Sequence, residues 1–103
     1  MELKERIANA EVACLYFKGA GCTVCSYLEP KVKELIEGEF PKMDYIVIQS
    51  EEEPELAAEY RVFSAPVIIV LFDGRETIRK GRTASIPELQ HEIDRYYQMY
   101  FSE

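Results

Sequence analysis

Val12-Ala13-Cys14-Leu15-Tyr16-Phe17-Lys18-Gly19-Ala20-Gly21-Cys22-Thr23-Val24-Cys25 is the stretch whose reading decides the fold. Its first part, Val12 to Phe17, is a short apolar run of the kind that forms a buried strand. Gly19-Ala20-Gly21 then breaks the strand. From Thr23 onward, Val24, Leu28, Val32, Leu35 and Ile36 recur at helical spacing and trace one apolar stripe. Cys22 and Cys25 therefore sit where a strand hands over to a helix. Two thiols separated by two residues at a helix start can close a small disulfide, and the helix N-terminus stabilises thiolate at the first sulfur. The chemistry this implies is thiol–disulfide exchange.

The rest of the chain follows from the same periodicities. Upstream, Leu3, Ile7 and Ala10 recur at helical spacing in a charged background, which predicts a short amphipathic helix over residues 2–10. Downstream, Gly38 and Pro41 bracket the end of the helix that carries the cysteines. Tyr45 to Ile48 reads as a second strand, and Pro54, at a first helical position, opens a short acidic helix containing Leu56, Ala57 and Tyr60. Val67 to Phe72 is apolar throughout, as a central strand is, and Asp73-Gly74 turns it into a further strand from Glu76 to Lys80. Ser85-Ile86-Pro87-Glu88 has the form of a capping box opening a last helix, whose Leu89, Ile93, Tyr96 and Tyr100 face the core. The order is αβαβαββα. Helix-connected strands favour parallel pairing and the closing hairpin adds an antiparallel edge, so the fold class is α/β with a mixed sheet flanked by helices.

The 103 residues are one domain's worth, and residues 1–103 are read as a single domain that buries a modest core without disulfide staples. Hydrophobic residues make up 48% and charged residues 30%, which excludes a disordered chain. Twelve Lys and Arg against nineteen Asp and Glu give a formal charge of −7, a surface that repels phosphate backbones and anionic lipid. No nucleic-acid or membrane partner is expected. The opening Met1-Glu2-Leu3-Lys4-Glu5-Arg6 lacks an apolar signal-peptide core, and no run approaches the roughly 18 apolar residues of a membrane span. With three cysteines, one left over after pairing, a reducing, cytoplasmic setting is the expectation.

Taken in order, these features carry a resemblance. Cys22-Thr23-Val24-Cys25 after a strand, Pro30 within the following helix, Ser64-Ala65-Pro66 before a buried strand, Phe72-Asp73-Gly74 at a hairpin and Gly81 before the last helix together resemble thioredoxin, from Val12 nearly to the end of the chain. The resemblance implies a thioredoxin-like fold with a four-stranded core. The first strand of full thioredoxin is lacking, because residues 1–10 read as helix. It implies that Pro66 is cis and faces the cysteines, and that substrate contacts Gly21, Thr23, Val24, Ala65, Pro66 and Gly81. It also implies disulfide-bearing protein substrates, electrons from a thioredoxin-reductase-type enzyme or a small thiol, a monomer, and neither cofactor nor metal.

The chain departs from the family at several positions. Thioredoxin has Trp before its first cysteine and Gly-Pro between the two, where this chain has Gly21 and Thr23-Val24, and it contains no Trp. Tyr16 stands where thioredoxin carries a buried aspartate linked to deprotonating the second cysteine, and Val47 where it carries a lysine, so the usual proton relay is absent. Glutaredoxin's Pro-Tyr between the cysteines is missing too.

The catalytic assignment rests on chemistry. Cys22, at the exposed mouth of the loop, is the nucleophile, and Cys25, one turn in, resolves the mixed disulfide. With no Lys or Arg inside the motif, thiolate stabilisation falls to backbone donors and the Thr23 hydroxyl. Two other readings stand beside this one: a binding or regulatory module on the same scaffold, and a metal-handling pair. A structural zinc site needs four ligands, and beyond the pair the chain offers only Cys14, mid-strand in apolar company, and His91, off the core stripe of the last helix. Glu51-Glu52-Glu53 reads as a solvated acidic face near a helix start.

Overall fold

A computed structural model describes residues 2–102 of the chain. The elements run α1 (Leu3–Asn9), β1 (Val12–Lys18), α2 (Thr23–Glu39), β2 (Asp44–Gln49), a 3-10 turn (Ser50–Glu52), α3 (Pro54–Glu59), β3 (Val67–Phe72), β4 (Arg75–Lys80) and α4 (Ile86–Tyr100). Pro54 begins α3 and Ser85 caps α4, its hydroxyl accepting from the Glu88 N–H at 3.4 Å. Asp73 and Gly74, at φ 54° and 78°, form the two-residue turn between β3 and β4. Gly38 lies inside α2, one residue before its end, and Tyr60 closes α3 as its C-cap.

The four strands lie in the order β2-β1-β3-β4. β1 and β2 are parallel, whereas β3 pairs antiparallel with both β1 and β4. The parallel arrangement expected of helix-connected strands thus fails at β3, and element length is the reason. Seventeen residues of α2 span roughly 25 Å, enough to carry the chain back along a strand. Six residues of α3 span only about 9 Å, half the length of a six-residue strand. β3 therefore starts at the end of the sheet where β2 finishes, with Val67 opposite Phe17.

Strand alternation divides the interior into two layers. Val12, Cys14 and Tyr16 of β1 pack with Leu28, Val32, Leu35 and Ile36 of α2, Ile68 and Val70 of β3, and Leu89 and Ile93 of α4. Ala13, Leu15 and Phe17 point the other way, into a layer closed by Ile7 of α1, Leu56 and Ala57 of α3, and Ile46 and Ile48 of β2. β3 is buried at all six positions, as its continuous apolar run requires.

α4 departs from its expected face in one respect. Leu89 and Ile93 are fully buried, but Tyr96 is 36% exposed and touches the edge of the core through Phe72, with ring centroids 6.0 Å apart. Tyr97 turns inward instead and meets Phe40 edge-on at 5.0 Å. Phe40 closes the end of α2, and its ring draws the next turn of α4 toward it.

Candidate functional site

One end of the sheet collects the loops that matter. β1 and β2 finish there, β3 starts there, and β4 ends there, since Lys18 lies beside Gln49 and Ile68 beside Lys80. At this edge Gly21 takes φ 67°, a left-handed conformation that suits glycine, and turns the chain into α2. Cys22 becomes the N-cap of α2 and Cys25 lies in its first turn. The sulfurs of Cys22 and Cys25 are joined as a disulfide, with Cα atoms 5.2 Å apart, within the ordinary range for such a bond.

The two sulfurs occupy different environments. Cys22 is half-buried and borders a cavity of about 500 Å³ lined also by Lys18, the 19–21 loop, Thr23, Ser26 and Gln49. Cys25 is 1% exposed. The Cys25 N–H donates to the Cys22 sulfur at 3.1 Å, so sulfur does the work that a Ser or Asp oxygen does at other helix starts. When the disulfide opens, that donor and the helix dipole favour thiolate at Cys22. Cys22 is therefore the accessible sulfur of the pair and Cys25 the shielded one.

Of the remaining residues singled out from the sequence, Thr23 and Val24 lie between the two cysteines. Thr23 is exposed and Val24 half-buried on the first turn of α2. The Ala65–Pro66 peptide bond is cis and Pro66 is buried, immediately before β3. Gly81 lies exposed just past β4, at the same end of the sheet. Phe63, on the loop that leads to Pro66, is 85% exposed. Cys14 is a free, fully buried thiol whose burial pushes its pKa up to about 12, which makes it inert. Among the described residues, no group of three or more His, Cys, Asp or Glu is arranged to hold a metal ion. Among them, too, no helix is long and apolar enough to cross a membrane.

Two participants were not legible as such in the sequence. The first is Glu51, whose carboxylate accepts from the Ala20 N–H at 2.8 Å and from the Gln49 amide at 2.9 Å. The Gln49 bond first, and the Ala20 bond second, hold the Glu51 carboxyl below its ordinary pKa. Gly19 fits tightly beside it: a Cβ there would lie 3.2 Å from Glu51 Oε1 and 3.3 Å from Ala65 Cβ. Glu51 thus ties the loop before Cys22 to the end of β2, and Gly19 lets the loop before Pro66 close against both. The sequence placed Glu51 on a solvated face; its role in the loop depends on a contact 31 residues away.

The second is Tyr16. Its even register on β1 points it at α2, and its hydroxyl donates to the Cys25 carbonyl at 2.9 Å. Burial, and secondarily the negative charge of Glu29, push its pKa up to about 12, so it remains a neutral donor. Lys18, next on the same face of β1, pairs with Glu29 at 2.9 Å. Tyr45 of β2 donates to the Glu29 carbonyl at 3.4 Å.

Comparison with known proteins agrees with this geometry. The thioredoxin family model matches residues 1–95. A thioredoxin-like protein of Bacillus subtilis (strain 168), YdfQ, is 26% identical over 103 residues, covering all of this chain and 91% of that protein. Other curated relatives, thioredoxins among them, are matched over a shorter stretch, with the chain spanning about half of their length. Among solved structures, thioredoxin 1 from Thermosipho africanus TCF52B superposes with a TM-score of 0.76 at 32% identity, over 84% of this chain and 96% of that one. A single-site mutant of thioredoxin from Halobacterium salinarum NRC-1 gives a TM-score of 0.81 at 25% identity, over 93% and 83%.

Proposed function

Because this chain belongs to the thioredoxin family, we propose that it reduces disulfides in protein substrates through Cys22 and Cys25. The observation that carries this reading is the asymmetry of the pair, with Cys22 on an open cavity at a helix N-terminus and Cys25 one turn in and shielded. The Cys22 thiolate attacks one sulfur of the substrate disulfide, and the other leaves as a thiolate. The Cys25 thiolate then attacks the Cys22 sulfur, the bond from Cys22 to the substrate breaks, and the chain is left with its disulfide closed. Substrate lies across Gly21, Thr23, Val24, Ala65 and Pro66, with Gly81 at the margin. A thioredoxin-reductase-type enzyme or a small thiol restores the dithiol. The protein works as a monomer in the reducing cytoplasm, without metal or cofactor.

The test is reduction of insulin disulfides with dithiothreitol as donor, alongside a redox titration read by mass after alkylation. Wild-type protein should accelerate insulin reduction, Cys22→Ser should abolish it, and Cys25→Ser should accumulate a mixed disulfide. A two-electron transition near about −270 mV supports a reductant, and one near about −120 mV reassigns the protein as an oxidant. Full activity in Cys22→Ser would overturn the proposal.

A second reading, a docking module with idle thiols, is favoured by one observation. Phe63 is 85% exposed on the loop to Pro66, where an apolar ring has no structural work to do. In that case partner binding survives in Cys22→Ser.

A further inference from the structure

The second sulfur poses a chemical problem that the first does not. Cys22 borders a cavity and has the Cys25 N–H aimed at it, whereas Cys25 is 1% exposed and must still become a thiolate to attack Cys22. A thiolate buried without a donor is costly, and burial raises its pKa. Among the described residues, the polar and titratable groups on the face of the sheet toward α2 are few. β1 supplies Tyr16, the buried neutral thiol of Cys14 and, at the rim, Lys18, which is taken up by Glu29 of α2. β2 supplies Tyr45, whose hydroxyl is turned to the Glu29 carbonyl. β3 is apolar at every position and places Ile68 opposite Tyr16. β4 and α4 turn Ile78, Leu89 and Ile93 into this layer, and their charged pair, Lys80 and Glu92, is bonded to itself at 2.6 Å. The donor in contact with Cys25 is the Tyr16 hydroxyl, 2.9 Å from that residue's carbonyl oxygen in a fully buried position.

We propose that Tyr16 is the positioning residue for the second half-reaction, its hydroxyl moving from the carbonyl of Cys25 to the sulfur when the disulfide opens and stabilising the thiolate there. Carbonyl and sulfur are two acceptors of one residue, so the exchange is a local change of partner for the Tyr16 hydroxyl. The carbonyl belongs to a helical residue and keeps its place in the α2 ladder. In the step served, the Cys25 thiol gives its proton to a solvent base that enters by the Cys22 cavity. The thiolate then bonds to the Cys22 sulfur, and the substrate sulfur departs with the electron pair of the bond it loses. Tyr16 itself stays protonated, since burial and Glu29 hold its hydroxyl pKa at about 12. It acts by donating a hydrogen bond, with no proton transfer of its own.

This inference rests on the proposed exchange chemistry but is read separately from it. In a Cys22→Ser background, the rate of Cys25 alkylation by iodoacetamide is followed against pH by peptide mass, which keeps Cys14 apart. Removing a hydrogen bond to a charged sulfur with Tyr16→Phe should move the midpoint up by about one pH unit and slow the neutral-pH rate about tenfold. Tyr45→Phe, which removes a hydroxyl bonded to the Glu29 carbonyl, should leave the midpoint in place. An unchanged midpoint in Tyr16→Phe, or an equal shift in Tyr45→Phe, overturns the proposal. A mutation-free readout covers the case in which Tyr16→Phe does not fold. With ring-labelled tyrosine, the Tyr16 hydroxyl-carbon resonance should move on reduction of the wild-type disulfide while that of Tyr45 stays, and a stationary Tyr16 resonance refutes the exchange of partners. Failure of insulin reduction in the wild type would overturn the proposed function and leave these readouts intact.

Discussion

Replacing Gly19 with alanine tests whether the three loops at the active edge are held by contact. The new Cβ would stand 3.2 Å from Glu51 Oε1 and 3.3 Å from Ala65 Cβ. Both distances are inside the roughly 3.5–4.0 Å at which carbon contacts are favourable, so both neighbours must give by a few tenths of an ångström. Glu51 is flexible, but moving it loosens its 2.8 Å bond to the Ala20 N–H. Ala65 precedes a buried proline and yields less readily. The sum points to the lower half of the usual overpacking penalty, about 1–2 kcal/mol. For a domain of this size that lowers Tm by roughly 5–10 °C. Thermal unfolding by circular dichroism reads the stability, and the insulin assay reads the displacement of the loop before Cys22. Adding Glu51→Ala removes one of the two contacts, so Gly19→Ala should cost measurably less in that background. Gly21→Ala is the control: nothing lies within 4 Å of its Cβ, but its φ of 67° carries a penalty of about 1 kcal/mol that is independent of Glu51. If Gly19→Ala matches the wild type in Tm and activity, or if its penalty is the same with and without Glu51, the account of the clamp is refuted.

Three further outcomes follow from the packing and electrostatics. Cys14→Ser puts a hydroxyl without a partner into a fully buried site and should cost about 1–3 kcal/mol in denaturant unfolding while leaving the redox potential in place; rapid alkylation of Cys14 in the folded protein would contradict its burial. Ile93→Ala, at a fully buried position between α4 and the sheet, should lose about 2–5 kcal/mol, and a loss below about 1 kcal/mol would show that α4 repacks freely. Glu51 has a depressed folded-state pKa, so its contribution is full above the ordinary carboxylate value of 4.5 and is lost as pH falls through the folded value. The stability gap between wild type and Glu51→Gln should therefore shrink as pH is lowered from neutral into the acid range below that ordinary value, and a gap that widens there would reverse the sign of the argument.

Much of the fold was legible because its elements announce themselves locally. The apolar run from Val12, the glycines that end it and the stripe from Val24 to Ile36 are periodic signals, and they placed Cys22 and Cys25 at a strand-to-helix junction without any tertiary information. The Asp73-Gly74 turn, Pro54 at a helix start and Ser85 at a cap are equally local, since each depends on the backbone preferences of one or two residues. The direction of β3 was not legible. Sequence pattern marks α3 as a helix, and only its length, measured against the strand it would have to retrace, decides that β3 runs antiparallel to β1. The spacing put Tyr96 on the core stripe, whereas in the structure Tyr96 is 36% exposed and Tyr97 is the ring that meets Phe40 at the end of α2.

The sequence by itself determined the chemistry that this chain offers, two thiols at a helix N-terminus on an α/β scaffold. That reading rests on interactions between residues close in the chain, whose energetics depend on residue type and period. Tertiary structure alone decided what surrounds those thiols: Glu51 bonded to Ala20, Gly19 closed between Glu51 and Ala65, and the Tyr16 hydroxyl set on the carbonyl of Cys25. A carboxylate in an acidic run and a tyrosine in an apolar strand each have an ordinary reading in sequence. They become parts of a site because folding brings distant backbone donors and acceptors within about 3 Å of them.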